Sequence, residues 1–79
     1  MIRVGQKLGD WEIVDIDYPR YGESWKYPRG WVLAMLMDPD EEIVMLPLSP
    51  KDQTLGRVQA LLDQELVSRK PWIGKELTL

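Results

Sequence analysis

Residue type and spacing suggest chemistry in two places. One is an acidic cluster, Asp38, Asp40, Glu41 and Glu42; the other is a run of aromatic and basic side chains between Tyr18 and Trp31. Clustered carboxylates are the usual ligands of a hard cation such as Ca²⁺. An EF-hand loop, however, spaces its oxygens at alternate positions, keeps a central glycine and ends on a distant glutamate. The acidic cluster has none of that spacing and reads as the solvated tip of a hairpin, so the sequence predicts no metal site and no cofactor.

The second run holds five of the seven aromatics, Tyr18, Tyr21, Trp25, Tyr27 and Trp31, with Arg20, Lys26 and Arg29 interleaved. Glu23 is its only acid, which makes the segment +2 while the remainder of the chain sums to −5, within a net charge of −3. Tyrosine and tryptophan give large, stiff contact area with a polar tip, and arginine adds planar donors, as at binding hot spots. The same residues can stack on the bases of a single strand, or clamp a proline-rich peptide. Packing competes for some of them. In a chain without phenylalanine, Tyr18 and Trp31 read as core residues at strand ends, and Trp11 and Trp72 as core or tail anchors. Arg20, Tyr21, Trp25, Lys26, Tyr27 and Arg29 are the candidate partner-binding residues.

An inventory of catalytic groups points away from an enzyme. There is no histidine and no cysteine, so the commonest proton shuttle and the thiol nucleophile are both missing. No G-x-S-x-G turn, G-x-G-x-x-G loop or phosphate-binding loop is present. The acidic balance opposes general binding to nucleic acid, which depends on neutralising phosphates. No apolar run approaches the ~20 residues of a membrane span. A single cytoplasmic domain of residues 1–79 is the expectation, with a core thin enough that self-association would help it.

The elements that must position these residues follow from pattern. Met1–Val4 alternates as a strand does, residues 6–10 read as a turn, and Trp11–Tyr18 is rich in β-branched and aromatic types. Strict alternation there puts Val14, Ile16 and Tyr18 on one face, and Trp11, Ile13, Asp15 and Asp17 on the other. Residues 19–30, with two prolines and two glycines, form a long loop of the kind that is usually functional. Residues 31–48 make a hairpin: two apolar runs about Asp38-Pro39-Asp40-Glu41, a type I turn sequence. Neither run alternates, which predicts cover on both faces or a patch shared with a second copy.

A helix over about 50–69 follows. Ser49 is its N-cap and Pro50 its first residue, with Thr54 as the alternative start. Leu55, Val58, Leu62 and Leu66 recur at helical spacing, widened by Leu61, and Pro71 ends the helix. Residues 71–79 are left as a docked tail or a C-terminal strand. The order β-β-β-β-α gives an α+β domain, either a small strongly bent antiparallel sheet or a partial barrel whose outline resembles the SH3-like barrels. The function expected is that of a non-enzymatic interaction module, an accessory, adaptor or inhibitor protein that binds a protein partner through the loop and can form a homodimer. A single-stranded nucleic-acid binder using the same loop, and a small enzyme or subunit with carboxylate chemistry, are the alternatives.

Overall fold

The computed structural model describes residues 1–18 and 28–78, with side chains through Arg69. Strands form where the β-prone residues lie: β1 (Lys7–Leu8), β2 (Trp11–Asp17), β3 (Val32–Met37) and β4 (Ile43–Leu48). A 3-10 turn, Pro50–Asp52, leads into α1 (Leu55–Thr78). Consecutive strands pair antiparallel in the linear order β1-β2-β3-β4. The α+β expectation therefore holds, as an open meander whose outer strands, β1 and β4, do not pair with each other.

The first strand differs from its predicted position. Residues 1–4 are not a strand, although Ile2 is buried in the core. Pairing starts at Lys7 and Leu8, inside the segment read as a turn. The turn itself is only Gly9-Asp10, with Gly9 at φ 63°. Positive φ at the first of two central residues, and not at the second, is the backbone of a type II′ hairpin.

In β2 the strict alternation fails, for a physical reason. The register steps from Ile13↔Leu36 to Asp15↔Met35, so Val14 is the extra residue of a β-bulge. Past the bulge the faces exchange: Ile13 and Ile16 both turn toward the core, while Glu12, Asp15 and Asp17 share the opposite face. Tyr18, expected in the core, is 66% exposed, and Trp31 is half-buried.

The hairpin forms as read. Asp38 Oδ1 accepts the N–H groups of Asp40 (3.0 Å) and Glu42 (2.8 Å). The Asp38 carbonyl accepts the Glu41 N–H at 3.0 Å, and the Asp38 N–H donates to the Glu42 carbonyl at 3.1 Å. Glu41 sits at φ 65°, which completes the turn-plus-bulge geometry of a three-residue hairpin loop.

Cover is one-sided. Val32, Ala34, Leu36, Val44, Leu46 and Leu48 are buried with Ile2, Leu8, Ile13, Val58 and Leu62 in one core, and Trp11, Ile16, Leu61 and Leu66 pack against it. Val58 and Leu62 come from α1, so the helix closes this face.

The helix begins at Leu55, so the alternative start applies. The Thr54 hydroxyl accepts the Arg57 N–H at 3.3 Å and its carbonyl accepts the Val58 N–H at 2.9 Å, as a cap should. The Ser49 hydroxyl is occupied elsewhere, donating to Asp52 Oδ2 at 2.9 Å. Thr54→Ala is expected to cost about 1 kcal/mol, read as a lower urea midpoint at unchanged slope. Beyond Arg69 the helix continues through Pro71 to Thr78, where the sequence reading ends it and expects an extended tail or strand. An interior proline removes one ladder bond and crowds the carbonyl four residues before it, at a cost of about 3 kcal/mol, which the helix takes up here.

The connection into β3 is held by the segment that follows β4. Gln53 Nε2 donates to the Gly30 carbonyl at 2.7 Å. Gly30 has φ 92°, and a Cβ there would lie 3.0 Å from Pro50 Cγ. Gly30→Ala is expected to lower stability by about 1–3 kcal/mol, since strained backbone and a crowded contact add. Equilibrium urea unfolding checks it.

Candidate functional site

With one sheet face under α1, the other carries the apolar excess of the hairpin. Three cross-strand pairs lie along it: Leu33↔Pro47, Met35↔Met45 and Met37↔Ile43. Ile43 and Met45 are 45% and 43% exposed, Pro47 is exposed, and Leu33, Met35 and Met37 are half-buried. Opposite residues in an antiparallel pair share a face, so these six side chains form one stripe two strands wide.

The same register places acids beside the stripe. Asp17 pairs with Leu33, Asp15 with Met35 and Glu12 with Met37. The bulge at Val14 is what aligns them, since without it two of the three would face the helix. Lys7 pairs with Glu12 at the strip's outer border. At one end, where the two hairpin turns meet, Lys7, Asp10, Glu12, Met37, Asp38 and Pro39 contribute to a shallow depression of about 270 Å³. An apolar stripe with an acidic border suits a partner surface that carries apolar side chains next to lysine or arginine.

Over 61 residues, 77% of its length, the chain is 36% identical to tripeptidyl-peptidase 1 of Rattus norvegicus. The chain spans only 11% of that protein's length. No family model and no solved structure matches the chain. Likeness over so small a part of a peptidase does not convey its activity.

Of the candidate partner-binding residues, Arg20, Tyr21, Trp25, Lys26 and Tyr27 lie outside the described residues. Arg29 is exposed, in the turn closed by the Trp31 N–H donating to the Pro28 carbonyl at 3.3 Å. That turn enters β3 at the end of the stripe where Asp17 and Leu33 pair. The acidic hairpin tip is at the other end. Among the described residues no three carboxylates converge to hold a metal ion, and no helix is long and apolar enough to cross a membrane.

Among the described residues one carboxylate is drawn below the ordinary aspartate value of 3.8: Asp52, held there first by the Ser49 hydroxyl and then by Arg57, whose Nε lies 3.1 Å from Oδ1. It joins the 3-10 turn to the first turn of α1, a structural task. Because its folded pKa is the lower one, its contribution is present above 3.8 and is lost as pH falls through the lowered value.

The sequence reading placed its candidate residues in the loop and allowed for a hairpin face left over, but not for the acids that border it. The signal was available in part: two apolar runs without alternation in a chain with one helix leave a face over. What sequence alone did not offer was the bulge, which decides where Asp15 and Asp17 point.

Proposed function

We propose that the chain is a non-enzymatic interaction module that seats a partner protein on the open face of its sheet. The observation that carries this reading is the run of three apolar cross-strand pairs on the face that no described element covers, exposed along β4 and half-buried along β3. A soluble domain rarely leaves a contiguous apolar surface of that kind without a use for it. Three methionines in the stripe, Met35, Met37 and Met45, adapt to an incoming surface at small packing cost.

The acidic border favours a partner segment in which apolar residues alternate with lysine or arginine. It opposes a phosphate backbone on this face. The connection bearing Arg20, Tyr21, Trp25, Lys26, Tyr27 and Arg29 leaves the sheet at Asp17 and rejoins it at Val32. In this reading its aromatic side chains are further anchors for the partner.

Photo-methionine incorporated in living cells tests the proposal. Cross-links from Met35, Met37 or Met45 to a lysine- or arginine-rich segment of another protein are expected. They should be lost on Asp15→Lys/Asp17→Lys, which changes exposed residues and leaves the core alone. Cross-links that survive the charge reversal, or none at the three methionines, count against it.

A further inference from the structure

We propose that β4 is a dimerisation edge, at which two copies of the chain pair antiparallel about Met45 to make one continuous sheet. This goes beyond the partner reading, since it uses the main chain of the strand edge while the face stays open.

The hairpin fixes which main-chain groups point outward. The Asp38 N–H bonds to the Glu42 carbonyl, so the next pair, Met37↔Ile43, is not hydrogen-bonded, and the alternation continues along the ladder. Leu36↔Val44, Ala34↔Leu46 and Val32↔Leu48 exchange bonds between β3 and β4; Ile43, Met45 and Pro47 direct theirs away from β3. Pro47 agrees with this independently, because it lacks an N–H and is tolerated where the N–H side faces out. β4 is the outer strand of the sheet, and no described strand pairs with its other side. Its outward groups are thus the N–H and C=O of Ile43 and Met45 and the C=O of Pro47.

A long apolar edge left open is a template for strand addition. The usual safeguards are weak here. No lysine or arginine lies within Ile43–Leu48, and the proline is near its far end. About Met45, antiparallel self-pairing lets each Met45 exchange bonds with its counterpart, while each Ile43 N–H meets the Pro47 carbonyl of the other copy.

Charge selects a second copy as the occupant. In that register Glu41 and Asp40 of one hairpin tip come opposite Ser49 and Pro50 of the other copy, with exposed Lys51 one residue beyond. The acids of β2 stay two strands, roughly 10 Å, from the dyad. Stacking two copies face to face about an axis across the strands would instead bring their acidic borders together, on chains of net charge −3.

Sedimentation equilibrium of the purified chain from micromolar to millimolar concentration is the test, with 9.2 kDa as the monomer mass. The expected result is reversible association to twice that mass. Met45→Pro should abolish it while the far-ultraviolet spectrum is kept, because the Met45 N–H serves no bond within the chain. Lys51→Glu, which touches no ladder, should weaken association about fivefold, and adding Asp40→Lys should restore most of that. A chain that stays at the monomer mass throughout overturns the proposal. So does a folded Met45→Pro that associates as the parent does, which would assign association to the open face. If Met45→Pro fails to fold, the Lys51 and Asp40 exchange decides alone, and an unchanged association constant in Lys51→Glu rejects the paired edge.

Discussion

Leu36→Ala is expected to remove about 2–5 kcal/mol of stability, most of what a domain of this size has. Leu36 is wholly buried at the centre of β3, between Ile13 on β2 and Val44 on β4. Truncation leaves a cavity that the sheet cannot close, since both neighbours are fixed by ladder bonds. The midpoint of thermal unfolding should fall by some 10–30 °C. Met35→Ala, one residue away on the same strand, is expected to cost under about 1.5 kcal/mol, because that side chain faces the open stripe and its loss leaves no sealed cavity. The contrast between adjacent positions reads the one-sided cover directly. Similar losses at Leu36 and Met35 would mean both faces are covered.

Asp38→Ala carries the second large effect. One carboxylate oxygen accepts two main-chain N–H groups, from Asp40 and Glu42. With charge-assisted bonds discounted for exposure, a loss of about 1–3 kcal/mol is expected. The opposite sign is expected three residues on. Glu41 holds φ 65°, a region costly for any residue with a Cβ. Glu41→Gly should therefore raise stability by about 0.5–1 kcal/mol, after allowing for the glycine's freer unfolded chain. Urea unfolding of both variants at equal slope checks the pair; a glycine variant less stable than the parent would contradict the turn geometry.

Much of the fold was legible in residue types. Asp-Pro-Asp-Glu between apolar runs announces its turn, because Asp38 and Pro39 have local reasons for their backbone angles, even though Glu41 has none for its positive φ. Val58, Leu62 and Leu66 announce the helix by spacing alone. The misses share a different cause. The bulge at Val14 answers to the pairing with β3, and strand β1 exists only because Lys7 and Leu8 find Glu12 and Trp11. Such features depend on contacts between segments, and no local pattern encodes them. Pro71 shows the converse case, a strong local stop overridden within a helix that runs to Thr78. For the site, the apolar runs gave notice of an unmatched face, but its acidic border had to wait for the register. The loop residues Arg20 to Tyr27 were singled out by type and local charge, which say what such a segment is good at, not where it is held.

The central claim is that, in the isolated chain, the sheet face bearing Met35, Met45 and Ile43 meets water. Hydroxyl-radical footprinting of the purified chain, read residue by residue by mass spectrometry, measures this most directly. Met45 and Ile43 should be modified readily, while Val44 and Leu46 between them on the same strand should remain protected. Equal protection along all of β4 would contradict the account, since something would then already lie over the face.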